Sequence, residues 1–254
     1  MMQKRLMVAC VTLSMVCASC VHQYQLTNIQ RTQIVVDRRY DATHDKAVEK
    51  LMRPYKENVD SLMAPVVGRV AREMTVGRPE SSLSNLLADI LVWGGKKAHD
   101  APDFGVYNMG GIRAALTKGD VTIGDVVDVA PFENKLCLLT LTGTQVMRLF
   151  EQMASVGGEG VSREVRLVIT KDGRLKSALV DGRKVSPDAK YRIATLDYLA
   201  QGNDKLEAFK HKTDVVSPQV YENNVRFIIM DYFRERTAKH EEVDAKVEGR
   251  IVVE

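Results

Sequence analysis

Apolar residues recur at helical spacing through Asp45–Met63, at Val48, Leu51, Met52, Tyr55, Val59, Leu62 and Met63. This pattern predicts a helix with one apolar face. Pro54 inside it predicts a kink or a division, because proline lacks an N–H and clashes with the preceding turn. The segment 64–76 carries Val66, Val67, Val70 and Met74 and predicts a strand. Ser81 caps a second helix whose inner side holds Leu83, Leu86, Leu87, Ile90 and Leu91, ending near Gly94-Gly95.

Further along, Phe104–Tyr107 is a short apolar run predicted to be a buried strand, broken at Gly110-Gly111. A short helix is predicted at Ile123–Val129, a strand at Lys135–Leu141 and an amphipathic helix at 143–154 with Val146, Leu149, Phe150 and Met153 inward. Val165–Thr170 and Leu175–Val180 flank Asp172-Gly173 and predict a hairpin. Tyr191–Leu196 predicts a strand, Gln219–Arg236 a helix and Ile251–Val253 a last strand. Helices and strands mix without a regular βαβ repeat. The expected fold is therefore α+β, a single domain over residues 45–254 with a mixed β-sheet and packed helices.

The first residues follow a different pattern. Lys4 and Arg5 precede an apolar run, Leu6–Val16, and then Cys17-Ala18-Ser19-Cys20. Charge, apolar core and small residues in that order predict a secretory signal over residues 1–19. The run is shorter than the roughly 20 residues that span a bilayer. Ala18-Ser19 before Cys20 resembles a bacterial lipoprotein cleavage box, although Cys17 replaces the usual Leu or Val. That resemblance implies a lipid on Cys20, an anchor to a bacterial membrane on its periplasmic or cell-surface side, and a spacer over residues 20–44. Several acyl chains hold a protein on a membrane where one barely does.

Composition narrows the chemistry. The net charge of +3 includes Lys4 and Arg5 of the signal, so the body has no excess of basic charge and no nucleic-acid groove is expected. Cys137 is the one cysteine of the body and, between Leu136 and Leu138, reads as a buried thiol. His22, His44, His99, His211 and His240 are scattered and form no HxH or HExxH pair, so no metal or other cofactor is expected in this chain. Neither a GxSxG elbow nor a Walker loop occurs. Gly157-Gly158-Glu159-Gly160 follows a predicted helix and reads as a flexible loop.

Three segments remain. Asn108-Met109-Gly110-Gly111-Ile112-Arg113 follows a predicted strand. Its paired glycines let backbone approach a ligand, Asn108 offers a donor and an acceptor, and Arg113 offers a planar fork for phosphate or ribose oxygens. Pro131-Phe132-Glu133-Asn134 and Thr195–Asp204 each place an aromatic beside polar residues. Two rings from separate loops sandwich a flat base, with stacking worth about 1–3 kcal/mol per base. Asp204 offers an acceptor for sugar hydroxyls. Taken singly, each segment also reads as an ordinary turn, and Phe132 and Tyr198 as core residues.

Together and in this order, the segments resemble the C-terminal domain of the 5′-nucleotidase family, from Val66 to Phe209 and more loosely through the last helix. Glu80–Asp89 is similar to the domain's opening helix and Asn108–Arg113 to its Asn-Gly-Gly-Gly-Ile-Arg turn. Pro131–Asn134 is similar to its Pro-Phe-Gly-Asn motif, Leu141-Thr142-Gly143 with Val146 to its next strand and helix, and Tyr191–Asp204 to its last motif. The resemblance implies a nucleoside site. In it Phe132 and Tyr198 clamp the base, Asn108 and Asn134 lie near it with Gly110 and Gly111, Arg113 lies near ribose or phosphate, and Asp204 holds ribose hydroxyls. Arg78 is implied on the phosphate side, although it is offset by one from the family's usual arginine position, here Gly77.

Met109, Glu133 and Ser84 replace family glycines, Gln201–Asp204 lacks paired glycines before the Asp, and Ser162-Arg163 stands where Ser-Gly is common. Family members also carry an N-terminal two-metal phosphatase domain, which has no counterpart in this sequence. The resemblance therefore implies a recognition domain for a nucleoside or nucleotide ligand. A separate metallophosphatase chain would hold the divalent metals, and the Asp45–Met63 helix is a candidate docking surface for it. The alternative is a surface lipoprotein binding module without a nucleotidase partner.

Overall fold

The computed structural model describes residues 26–40 and 45–254. The predicted signal over residues 1–19 and the lipidation position Cys20 lie outside the described residues. The chain divides into two units, residues 1–51 and 52–254. In the first, Leu26, Ile29, Ile34, Val35 and Val36 are exposed, and a single 3-10 turn forms at Arg38–Tyr40. Helix α1 (Lys46–Met63) is continuous through Pro54 and buries none of its residues. Proline does not divide the helix as expected. The predicted apolar face is present, but Val48, Leu51, Met52, Tyr55, Val59 and Leu62 are all exposed.

The body of the second unit is built on three sheets. Strand β1 (Val66–Val70) pairs antiparallel with β3 (Gly119–Thr122). Between them lie helix α2 (Ser82–Lys97) and strand β2 (Phe104–Tyr107). After β3 come helix α3 (Ile123–Val129), strand β4 (Leu136–Thr142), helix α4 (Gly143–Ser155) and the two-residue strand β5 (Gly160–Val161). Strands β6 (Val165–Ile169), β7 (Leu175–Val180) and β8 (Arg183–Lys184) form a meander. Strand β9 (Lys190–Leu196), helix α5 (Asp197–Ala200), strand β10 (Thr213–Val216), helix α6 (Val225–Ala238) and strand β11 (Ile251–Val253) complete the order.

The largest sheet runs β10-β4-β9-β2-β5, and the third runs β11-β6-β7-β8. Strand β2 is buried throughout and β4 at every position but its last, so both read as continuous apolar runs without alternation. On α2, Leu83, Leu86, Leu87, Ile90 and Leu91 are all buried and pack toward β2 and β5. Ser81 accepts from the Ser84 backbone while Ser84 Oγ accepts from the Ser81 backbone. That reciprocal cap satisfies two otherwise orphaned N–H groups and gives Ser84 a role that glycine lacks. The fold is α+β, as the sequence predicts.

Some details differ from expectation. The last helix starts at Val225, not Gln219, because Asn224 caps it by accepting from the Arg226 N–H. Val220 therefore lies outside the helix and is exposed. The glycine-rich segment after α4 is not a solvated loop: Gly158, Glu159 and Gly160 are buried, and Gly160 enters β5.

A buried cation ties the end of the chain to this core. Arg250, 2% exposed, pairs with Asp89 of α2 at 2.8 Å and with Glu248 at 2.9 Å. It also donates to the carbonyls of Asn85 and Val161. One side chain thus joins α2, β5 and the residue preceding β11. Removing one partner of a buried pair leaves the other charge uncompensated. Arg250→Met is expected to destabilise the protein by roughly 3 kcal/mol, read as a lower midpoint of urea unfolding. A midpoint equal to that of the parent protein would show that the cluster contributes nothing.

Candidate functional site

The topology brings the three singled-out segments to one end of the largest sheet. Strands β2 and β9 are parallel neighbours, with Phe104 opposite Ile193 and Gly105 opposite Ala194. Their C-terminal ends therefore point the same way, and Asn108 and Asp197 leave the sheet side by side. Strand β4 runs antiparallel to β9 with Leu136 opposite Leu196, so the residues preceding β4 reach that same end. Lys135 and Asp197 close the corner: each backbone N–H meets an oxygen of the other residue at 3.0 Å. In open sheets of mixed proteins, strand carboxyl ends are a recurrent place for a ligand crevice.

A cavity of about 210 Å³ lies there, bordered by Asn108, Gly110, Gly111, Phe132, Asn134, Tyr198 and Asp204. Phe132 and Tyr198 are 49% and 38% exposed, far from the burial of core rings such as Phe104 and Phe150. Two large apolar rings left partly open beside one cavity offer faces that a flat ligand can cover.

Asp204 organises the polar side. One oxygen accepts from Asn108 Nδ2 at 2.6 Å and the other from the Tyr198 hydroxyl at 2.9 Å. Asp204 sits at φ +55°, the left-handed region, which Asp tolerates better than most residues. The bond to Asp204 is the main reason the Tyr198 phenol titrates above its usual range, so its ring stays neutral and its hydroxyl remains a donor. Asn203 Nδ2 donates to the Tyr198 carbonyl and steadies the turn. Asn108 is 4% exposed, and its Oδ1 has no partner among the described residues. A Cβ added at Gly111 would stand 2.5 Å from that oxygen, so Gly111 leaves the space the Asn108 amide fills.

The two arginines implied at the site are not among the residues bordering the cavity. Arg113 is exposed and donates to the Gly110 carbonyl at 3.2 Å. Arg78 pairs with Glu159 at 2.6 Å. Ser162 and Arg163 also lie away from the cavity border: Ser162 Oγ accepts from the Gly105 N–H, and Arg163 pairs with Asp89.

Glu159 is the residue that sequence reasoning passes over. It is 2% exposed, accepts from the Met109 backbone N–H with one oxygen and bonds Arg78 with the other. Gly158 makes this possible: at φ +105°, its missing Cβ would lie 2.4 Å from the Pro79 carbonyl oxygen. Burial pushes the Glu159 carboxyl above its ordinary range, opposed by the Met109 N–H and Arg78, while nearby Asp204 raises it further. The available signal is a lone acid set among glycines, a pattern that also describes a solvated loop.

Among the described residues no set of three His, Cys, Asp or Glu side chains is arranged to hold a metal ion.

Comparison with known proteins gives this arrangement a lineage. The trifunctional nucleotide phosphoesterase protein YfkN of Bacillus subtilis is 30% identical over 187 residues, covering 68% of this chain and 12% of that protein. Protein UshA of Yersinia enterocolitica is 25% identical over 218 residues, covering 84% of this chain and 38% of that protein. The chain thus spans well under half the length of these relatives. Among solved structures, a 5′-nucleotidase precursor from Thermus thermophilus matches with a TM-score of 0.71 at 26% identity, covering 82% of this chain and 43% of that chain. NAD nucleotidase of Haemophilus influenzae shares the fold, with a TM-score of 0.61 at 20% identity, covering 83% of this chain and 41% of that chain. Residues 64–211 match the family of the 5′-nucleotidase C-terminal domain, and the chain belongs to that family.

Proposed function

We propose that this chain is the nucleoside-recognition part of a 5′-nucleotidase-type system, in which a separate metallophosphatase chain supplies the metals and the bond cleavage. The observation that carries this reading is the cavity that Phe132 and Tyr198 border from two loops, with the Asp204 carboxylate beside them. A base enters between the rings and exchanges water for two apolar faces. Asn134, half-buried at the border, offers its amide to the base edge. Asp204 accepts from sugar hydroxyls, in part by exchanging its bond to the Tyr198 hydroxyl for one to the ligand. Asn108 holds Asp204 in place. The exposed apolar stripe of α1 supports a docked partner, since such a face gains free energy when covered.

The names of the relatives favour nucleotide chemistry as well: YfkN is called a nucleotide phosphoesterase, and the Thermus protein a 5′-nucleotidase precursor. We further propose that the chain is exported and anchored through lipid on Cys20, from the charge, apolar run and Ala18-Ser19-Cys20 order at its start.

Adenosine titrated into the purified protein is expected to give saturable heat. Tyr198→Ala is expected to weaken that binding by about 1–3 kcal/mol, the value of one stacked base. Absence of saturable binding by adenosine, guanosine, cytidine and uridine alike would refute a nucleoside site.

The purified chain, given Zn²⁺ or Mn²⁺, is expected to release no phosphate from a nucleoside monophosphate above the enzyme-free blank. Turnover that follows the protein through successive columns would show that it needs no partner. Cells fed labelled palmitate are expected to label the parent protein but not Cys20→Ala. Equal labelling of both, or of neither, would refute the anchor.

A further inference from the structure

We infer that the Tyr198 hydroxyl holds the sugar's place on Asp204, so that the cavity selects its ligand by the base and is nearly indifferent to the 2′ and 3′ hydroxyls. This rests on the nucleoside reading above and widens its ligand class to ribonucleosides and deoxyribonucleosides alike.

The two donors on Asp204 are not equivalent. Oδ2 accepts from Asn108 Nδ2 at 2.6 Å and lies near the turn, where a Cβ added at Gly110 would stand 3.9 Å from it. Asn108 is 4% exposed. Taking its partner away would leave a buried amide N–H unpaired, which is costly. Oδ1 accepts from the Tyr198 hydroxyl at 2.9 Å, and Tyr198 is 38% exposed. A phenol released there meets water. The exchange with a sugar hydroxyl therefore falls on Tyr198 and not on Asn108.

That exchange gains little. One O–H leaves the carboxylate and another takes its place, while the phenol and the sugar hydroxyl trade their water. A sugar without hydroxyls leaves the Tyr198 bond intact and forfeits nothing. With no phenol in competition, a sugar hydroxyl would replace only water, and a bond to a charged acceptor is the stronger kind. The Tyr198 phenol titrates above its usual range chiefly through this bond, the same contact felt at the donor.

The backbone of Tyr198 is fixed without the hydroxyl. Its N–H donates to Asp197 Oδ1 at 2.9 Å, and its carbonyl accepts from Asn203 Nδ2 at 2.8 Å. Tyr198→Phe therefore removes the competitor and keeps a ring at the cavity. The test is calorimetric titration of adenosine, guanosine, cytidine and uridine, each beside its 2′,3′-dideoxy counterpart. The proteins are the parent, Tyr198→Phe and the double variant Tyr198→Phe/Asp204→Asn, each first shown by circular dichroism to be folded.

For the base that binds most tightly, the parent protein is expected to hold the ribonucleoside within about threefold of the dideoxynucleoside, as exchange of like bonds implies. Tyr198→Phe should widen that ratio to about tenfold or more, the worth of an uncontested hydrogen bond to a carboxylate. The double variant should narrow it again, because an amide oxygen is a weaker acceptor than a carboxylate. A hydroxyl with a merely structural role would alter both ligands together and leave the ratio unmoved. A parent ratio well above threefold, as when the sugar bonds Asp204 without dislodging the phenol, would overturn the inference and leave the nucleoside site standing. An unchanged ratio in Tyr198→Phe would do the same. Failure of every nucleoside to bind the parent protein would remove the nucleoside site and this inference with it.

Discussion

The candidate site depends on a single carboxylate holding two donors that follow different strands. Asp204 binds Asn108 across 96 residues of sequence and Tyr198 across six. Without it, the Asn108 amide would be buried with neither its oxygen nor its nitrogen partnered, an arrangement that costs about 1–3 kcal/mol per group. With it, the turn after β2 and the turn after β9 become one piece. The parallel pairing of β2 and β9 brings these turns together; the carboxylate fixes their spacing. Tyr198 thereby presents a ring that is held at its hydroxyl end before any ligand arrives.

Much of this was legible in the sequence, for reasons that are local. Phe104–Tyr107 and Leu136–Thr142 announce themselves because strands buried on both faces must be apolar at nearly every position. The inner side of α2 shows because burial at helical spacing leaves a periodic record. The ends of the helices were harder. Val220 continues the spacing of α6, yet the helix begins only where the Asn224 side chain is available to cap it. Spacing records a face, whereas a hydrogen bond sets the boundary. Helix α1 shows the complementary limit: its stripe is as regular as any in the chain, and none of it is buried. Periodicity states that a face is apolar and is silent on what covers it.

Of the candidate residues, those that touch the cavity directly were the legible ones. Phe132, Asn134, Tyr198 and Asp204 lie in short motifs that set an aromatic ring beside polar residues and a turn, and all four border the cavity. The charged residues were less legible, because where a long side chain ends depends on partners remote in sequence. Arg78 and Glu159 are 81 residues apart, and Glu159 and Met109 are 50 apart. No local pattern distinguishes an acid that will be buried against an arginine from one that will face water. Only the closure of the Gly157–Gly160 segment onto the Asn108 turn decides it.

Buried or half-buried ionic groups recur at the places where this fold joins remote segments. Arg250 connects α2, β5 and the start of β11, Glu159 connects the Arg78 segment to the turn after β2, and Asp204 connects two turns. Apolar contact is indifferent to small slips, since one methyl replaces another at little cost. A desolvated charge tolerates no slip, because losing its partner costs far more than the pair gains in place. Such groups add little net stability and instead penalise every other register. At Asp204 the same rule bears on the proposed ligand. Its two oxygens already accept from Asn108 and Tyr198, so a group brought there must replace a donor. A neutral sugar hydroxyl can replace a donor at Asp204, because it offers the carboxylate an O–H like that of Tyr198. The carboxylate that holds the two turns together is therefore also the acceptor open to the proposed sugar hydroxyl.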